Sequence, residues 1–557
     1  MPDSSLVLGP LLRHVGQTAA TVWVQTEADS VVTVHCDGRS WSSRTFGVHD
    51  KHYALIVVDG LVPGTVQEYA VEVDGVRAWP EPESTLPPSR IATLRPDKAP
   101  RLAFGSCRTS VPHDREGTKT HGVDALRSYA LDMAANADTH AWPDLVVMLG
   151  DQVYADEISD EMEEFIRERR GLEEAPGAEL KDYIEYAHLY RLAWSDPVNR
   201  WLLSTLPSAM IFDDHDVRDD WNTSATWHAK MNATEWWHER IVGALMSYWV
   251  YQHVGNLSPK ELAGDEVWQL IVQHAESGAA EELDLTATLR ALAERVDTQP
   301  ETYRFSYTRD LGRGRLVMID SRAARDLRPE HRAMLDEVEA RWVDEQLTGD
   351  VEHLFIGTSL PFLIAPGIHD LEAINEAISE GAYGKRLAGA GERLRQAVDL
   401  EHWGAFQRSF AEVLAAVVEV ARGERGTAPR AITFLSGDVH HSYVAQIPRE
   451  QYGLTSEIVQ AVCSPIRNPL PKHARVLNDL LGRGLARPMR WLAGRASKVP
   501  DPAYTWSVTE GPWFDNNLAV ADVEEDGRLE LRWYTGDVHD EQYDAPTPRE
   551  VARVEIG

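Results

Sequence analysis

Cysteine is scarce: Cys36, Cys107 and Cys463 are the only three in 557 residues. So few cannot build a disulfide framework for a chain of this size, and a reducing compartment is the expected setting. Positive charge is also short, with 55 Lys+Arg against 88 Asp+Glu and a formal charge of −33. Such a chain repels nucleic acid and anionic membranes unless basic groups are gathered locally, so neither is expected as a partner. No apolar run reaches the roughly 20 residues that span a bilayer, and the first ten residues lack the positive start and apolar core of a secretion signal. The expected location is the cytoplasm. What the chain does have is 43% apolar residues, enough to bury a sizeable core.

Two rhythms divide the sequence. From Leu6 to about Leu94, short β-branched and aromatic runs such as Ala20–Val24, Val31–His35, Tyr53–Val58, Glu68–Val73 and Ile91–Leu94 are separated by turn formers including Asp59-Gly60, Pro63-Gly64 and Asp74-Gly75. This pattern predicts a small antiparallel β-sandwich over residues 1–97, with a boundary near Asp97 after the proline-rich stretch Trp79–Pro88. Over 98–557, brief apolar runs alternate with long amphipathic segments, an α/β pattern. Strands are expected at Leu102–Phe104, Leu145–Leu149, Ala209–Phe212, Leu316–Ile319, Leu354–Ile356 and Ile432–Leu435. Helices are expected at Glu161–Arg170, Ala225–Val250 and Glu392–Ala421, and a hairpin of Leu518–Val523 and Leu529–Tyr534 around Glu525-Asp526-Gly527.

Chemistry follows the strands. Leu102–Phe104 leads to Gly105-Ser106-Cys107-Arg108, Leu145–Leu149 to Gly150-Asp151-Gln152-Val153-Tyr154, and Ala209–Phe212 to Asp213-Asp214-His215-Asp216. Leu316–Ile319 leads to Asp320-Ser321-Arg322, Leu354–Ile356 to Gly357-Thr358-Ser359, and Ile432–Leu435 to Ser436-Gly437-Asp438-Val439-His440-His441. Ligands of open α/β sheets bind beyond the carboxyl ends of strands, so these distant groups can converge. Three carboxylates within four residues at 213–216 call for a cation. Cys107, Tyr154 and His440 suit a transition metal such as Fe³⁺. Asp214 and Asp438 are hard oxygen donors suited to Ca²⁺, Mg²⁺ or Mn²⁺, and Asp151 can bridge both. Two such ions about 3.5–4 Å apart would clamp an ester phosphate and activate a water.

Gly-Asp-Gln-Val-Tyr at 150–154, Asp-Asp-His-Asp at 213–216 and Ser-Gly-Asp-Val-His-His-Ser-Tyr at 436–443 together resemble the alkaline phosphatase D family of calcineurin-like metallophosphoesterases. The resemblance implies a four-layer α/β/β/α catalytic domain behind a small β-sandwich. It also implies an iron site of purple-acid-phosphatase type at Cys107, Asp151, Tyr154 and His440, and a second site at Asp151, Asp214 and Asp438. Relatives commonly carry Asn and His at the positions of Asp214 and Asp438, and a further His after the strand that here ends in Gly357-Thr358-Ser359. Those imidazoles are missing, which points the second site away from zinc and toward Ca²⁺, with Thr358 or waters completing it.

His215, with a ring that titrates near neutrality, is the candidate proton donor to the leaving alkoxide, kept charged by Asp214 and Asp216; metal ligation is the alternative. Arg108 and Arg218, with Arg322, are candidates for phosphate oxygens, ion pairing to carboxylates being equally open. His441 and His369 are lesser candidates, the latter on a loop near the mouth. Residues 472–498 gather Lys472, Arg475, Arg483, Arg487, Arg490, Arg495 and Lys498, the one hint of membrane or polyanion contact. The expected function is hydrolysis of small phosphate esters by a metal-activated hydroxide. A non-catalytic phosphate-binding scaffold and a nuclease are the competing readings.

Overall fold

The computed structural model describes residues 6–136, 142–328, 331–470, 499 and 502–557. Near the N-terminus two antiparallel sheets face each other. One carries Leu6–Val15, Ala20–Thr26, Lys51–Val58 and Phe46–Val48. The other carries Arg39–Arg44, Val31–Cys36, Val66–Val73 and Val76–Trp79, with Arg90–Ala92 also paired to Val66–Val73. Strand alternation turns Val32, Val34 and Val71 toward Val22, Val24, Ala54 and Ile56, and these form a dry core between the sheets. The other face of the first sheet is buried as well: Leu11, Trp23, Tyr53 and Leu55 join the core of the following α/β region. There the Tyr53 and Tyr251 hydroxyls meet at 2.9 Å, and the buried Arg13 donates to the Tyr251 and Gln252 carbonyls. The strand Leu283–Asp284 pairs alongside Phe46–Val48.

The α/β region is built on two further sheets. The first runs Ser208–Ile211, Leu145–Leu149, Arg101–Gly105, Leu518–Val523, Leu529–Asp537, Thr547–Ile556, its first three strands parallel. The second runs Tyr307–Leu311, Gly314–Ile319, His353–Thr358, Ala431–Ser436, Glu457–Val462, Ser442–Ile447, Ser507–Trp513, parallel through its middle four. Their central strands read as unbroken apolar runs because both faces are covered. Leu316, Met318, Phe355 and Leu435 pack toward the first sheet. Their alternates Val317, Ile319, Leu354, Ile356 and Phe434 pack with Val343, Val413, Leu414 and Val417 of the helices Glu337–Gln346 and Gln407–Ala421. The helix Ala125–Ala135 covers the outer face of the first sheet. The result is the expected α/β/β/α layering.

Two expected helices are interrupted. Ala225–Val250 is divided into Ala225–Asn232 and Trp237–Ser247, because the Thr234 amide and hydroxyl both turn back onto the Met231 carbonyl. A buried π-helical turn, Tyr248–His253, follows. Glu392–Ala421 is divided into Lys385–Ala397 and Gln407–Ala421. Asp399 between them takes a left-handed backbone (φ 46°), and Trp403 and Phe406 leave the helical path to bury completely. Among the described residues no helix is long and apolar enough to cross a membrane. The basic stretch expected at 472–498 lies outside the described residues.

Candidate metal centre

The parallel strands Arg101–Gly105, Leu145–Leu149 and Ser208–Ile211 of one sheet, and Gly314–Ile319, His353–Thr358 and Ala431–Ser436 of the other, bring their carboxyl ends to one edge of the sandwich. Backbone bonds join the loops beyond them. The Cys107 amide donates to the Gly150 carbonyl, and the Arg108 amide to that of Asp151. Ser106 Oγ accepts from the Asp438 amide, and Ser464 Oγ accepts from the His440 amide while donating to Cys107 Sγ at 3.2 Å. Cys107, Asp151, Asp438 and His440 all have positive φ, between 50° and 65°. Non-glycine residues rarely adopt this conformation, which clusters where function demands it. Two glycines make the close approach feasible: a Cβ on Gly437 would lie 1.8 Å from Ser106 Oγ, and one on Gly150 (φ +102°) 2.6 Å from Asp213 Cβ.

These turns gather the expected first-site donors. The thiol of Cys107, a carboxylate oxygen of Asp151 and a ring nitrogen of His440 lie within 4.8 Å of one another. Cys107 Sγ and the Tyr154 hydroxyl both donate to Asp151 Oδ2, at 3.3 and 3.4 Å. Asp151 Oδ1 is left buried without a partner. Burial, with the charges of Asp151 and Asp438, pushes the Cys107 thiol well above its usual range. Burial likewise pushes the Tyr154 phenol up, and holds His440 neutral with a pKa lowered to about 4. A thiol, a phenol, a carboxylate and a neutral imidazole crowded around one point form a donor set that a transition-metal cation fits.

Beside it lies a second group of oxygens. Carboxylates of Asp151, Asp213 and Asp214 also fall within 4.8 Å of one another. Asp213 Oδ2, Asp214 Oδ1 and Thr358 Oγ1 are buried without hydrogen-bond partners. Burial and mutual repulsion push the Asp151, Asp213 and Asp214 carboxyls upward, so their ionised forms need a cation close by. Arg322 supplies part of that charge. Its guanidinium, wholly buried, grips Asp213 through Nε, meets Glu401 at 2.6 Å and stands 3.1 Å from Asp214 Oδ1.

Other expected roles are redrawn. His215 sits at the site's edge with its ring 4.8 Å from that of Tyr154, and its main counter-charge is Asp156, 2.8 Å from Nδ1, with the expected Asp214 reinforcing it. Asp216 instead shapes the turn, accepting from the Asp213 amide and from Gln252 of the π turn. Arg108 is corrected from a phosphate contact to a buried structural ion pair. It holds Asp124 at 2.8 and 3.0 Å and the Ala193 carbonyl at 3.0 Å, which uses its donors away from the candidate metal ligands. Arg218 is likewise occupied, bonding Glu179 through Nε and Nη2, and Arg322 is spent on the site's own acids. His369 is not on a loop but buried in the helix Pro366–Ser379, its ring against Phe410 and Trp506.

Several members of the site escaped sequence reasoning: Asp156, Asp213 as a carboxylate donor, Glu372, Glu401 and His402. His402 Nε2 lies 3.1 Å from Asp438 Oδ2, and its Nδ1 lies 2.7 Å from Glu372 Oε1. Asp156 stands two residues past Tyr154 and was open to notice. His402 follows no strand and carries no local signal.

Residues 128–480 match the family described as PhoD-like phosphatase, well over half of the chain. The chain belongs to the PhoD-like phosphatases. It is accordingly a phosphoric ester hydrolase, and family and fold imply metal-dependent catalysis. Residues 3–91 match a family described as a domain of unknown function, DUF7800. Among solved structures, one described as "Structure of PhoD" is similar with a TM-score of 0.60 at 12% identity, covering 100% of this chain and 91% of that one. Purple acid phosphatase PPD1 from yellow lupin (Lupinus luteus) seeds is similar with a TM-score of 0.48 at 10% identity, covering 95% and 73%. No curated protein matches the chain in sequence. This PhoD-like chain thus shares the fold of PhoD.

Proposed function

We propose that this PhoD-like phosphatase hydrolyses small phosphate esters at a centre whose first ion, Fe³⁺ by donor type, is held by Cys107, Asp151, Tyr154 and His440. A divalent cation sits next to it on Asp151, Asp214 and Asp438. The observation that carries this reading is the convergence of Cys107, Asp151 and His440 from three separate loops to within 4.8 Å. Ions bound there would supply Lewis-acid polarisation of the phosphoryl oxygens and an activated water, so no covalent phosphoenzyme is required.

The chain's own residues provide the rest. Asp156 holds the proton on His215 Nδ1 and leaves Nε2, 4.0 Å from Asp219 Oδ1, as the edge that can protonate the leaving alkoxide. Arg322 fixes Asp213 and Asp214 and does not reach for substrate. The division into a sandwich over 1–97 and a catalytic domain over 98–557, and a cytoplasmic setting in keeping with three buried free cysteines, belong to the same proposal. Hydrolysis of an aryl phosphate monoester and a diester by metal-analysed protein, with and without chelator, is the test. Turnover that survives complete metal removal, or its absence in metal-replete protein, overturns the proposal, the latter in favour of a binding scaffold.

A further inference from the structure

The second metal position lacks the imidazoles that the resemblance places at 438 and after Gly357, yet the fold brings one in from elsewhere. His402 belongs to the segment 398–406 that interrupts the expected long helix. Its ring is held by Glu372, a fully buried carboxylate of the helix Pro366–Ser379, 2.7 Å from Nδ1. The same Glu372 oxygen accepts the His402 backbone amide at 3.2 Å, so one carboxylate sets both backbone and ring. The opposite nitrogen, Nε2, is thereby aimed at Asp438 Oδ2, 3.1 Å away.

With Nδ1–H given to Glu372, Nε2 and Asp438 Oδ2 face each other across 3.1 Å in a mostly buried place, and something positive must lie at their junction. The ring's own second proton serves, since Glu372 and Asp438 raise the imidazole well above its usual value; a metal ion would take that proton's place. The spacing admits the ion as well as an N–H···O bond, since two donors each about 2.0–2.2 Å from one cation, at right-angled to tetrahedral geometry, stand roughly 3.0–3.4 Å apart. A carboxylate gripping the far nitrogen of an imidazole is also the usual support of a metal-bound histidine, because it fixes the tautomer and the ring plane. Asp151 Oδ1, buried without a partner, leaves an oxygen donor for the same ion, and Asp214 can add one through a carboxylate that Arg322 already faces at 3.1 Å.

We propose that His402 Nε2 ligates the second ion together with Asp151, Asp214 and Asp438, and that Glu372 is its positioning residue. The proposal rests on the metal-dependent reading of the centre and changes one consequence of it. An imidazole donor shifts the second position away from Ca²⁺, which takes all-oxygen sets, toward Mn²⁺ or Zn²⁺.

The test is ion stoichiometry and affinity, by native mass spectrometry and elemental analysis, on the full chain stripped of metal and reloaded with iron plus Mn²⁺, Zn²⁺ or Ca²⁺. The wild-type chain should hold one iron and one Mn²⁺ or Zn²⁺. His402→Gln should keep the iron and lose the other ion, and Glu372→Gln should bind that ion about 10–100-fold more weakly. If His402→Gln fails to fold by circular dichroism, the Glu372→Gln affinity decides instead. A folded His402→Gln that keeps both ions at wild-type affinity, an unaltered affinity in Glu372→Gln, a wild-type chain that never takes more than one ion, or a preference for Ca²⁺ each overturns the assignment. All of these leave the hydrolase reading intact. A wild-type chain that binds no metal at all overturns both.

Discussion

The Nδ1 of His215 lies 2.8 Å from Asp156 Oδ1, a carboxylate from the loop that also carries Tyr154. Burial by itself would strip the ring of its proton. The charge of Asp156, reinforced by Asp214 and Asp151, outweighs burial and raises the imidazole well above its ordinary value. Asp156 is correspondingly lowered, and its other oxygen accepts the Asp219 amide at 2.6 Å. His215 is thus held toward its charged form, in a fixed orientation, beside the proposed metal ligands.

His215→Asn should lower kcat by about 10²–10⁴-fold with metal content unchanged, as expected for loss of a general acid. Asp156→Asn should leave the acid in place but lower its pKa, moving the alkaline limb of the kcat–pH profile to lower pH. Steady-state kinetics with elemental analysis on the same samples checks both. A collapse of bound metal in His215→Asn would make the ring a ligand instead.

Arg108→Met should act on stability rather than on chemistry. Asp124 is 1% exposed, and the substitution strands its carboxylate without the guanidinium that neutralises it. Breaking a buried pair from one side costs about 3–5 kcal/mol. Denaturant unfolding should show that loss, while KM for an aryl phosphate stays near wild type in the folded fraction. A selective rise in KM would restore the phosphate contact for Arg108.

Gly437→Ala should disable the centre while the fold survives. The new methyl would meet Ser106 Oγ at 1.8 Å and displace the turn that carries Asp438 and His440. Misplacing reacting groups by about 1 Å commonly costs roughly 10²-fold. The expected result is a kcat/KM reduced by about that factor and weakened metal binding, with unchanged far-ultraviolet circular dichroism.

A pH effect on stability is expected away from the site. Glu339, fully buried in the helix Glu337–Gln346, has its carboxyl raised by burial and by the neighbouring Asp320 from 4.5 to about 8. Between those values the unfolded chain has released this proton and the folded chain has kept it. The folded state therefore binds more protons, and stability falls as pH rises through the window. Glu339→Gln should flatten that part of a stability–pH curve measured by chemical unfolding. An unchanged slope would show that Glu339 is ionised in the folded protein.

Much of this site is legible in one dimension because it follows strands. A buried run such as Leu145–Leu149 must end, and the first polar residues after it must stand at the sheet's edge; Cys107, Asp151, Tyr154, Asp214, Asp438 and His440 are readable for that reason. The sandwich was readable from its turn-punctuated alternation and the α/β region from its rhythm, with Leu145–Leu149 and Leu518–Val523 falling on their expected bounds. The break at 398–406 was not, because Leu400, Trp403 and Phe406 keep helical spacing in sequence. Their departure from the helix comes from tertiary burial, Trp403 packing on Phe362 of the loop that follows His353–Thr358, itself stacked on Phe434 of the second sheet.

By itself, then, the chain's order of residues determined the layers, the strand ends and which donors stand there, since hydrophobic period and local turns need only near neighbours. Only the tertiary structure decided what each charge faces. Arg108 turned to Asp124, His215 to Asp156, and His402 to Asp438 from a segment 36 residues away. The physical reason is that a buried charge takes whichever partner the packed fold places within about 3 Å, and that distance is set by the meeting of elements remote in sequence.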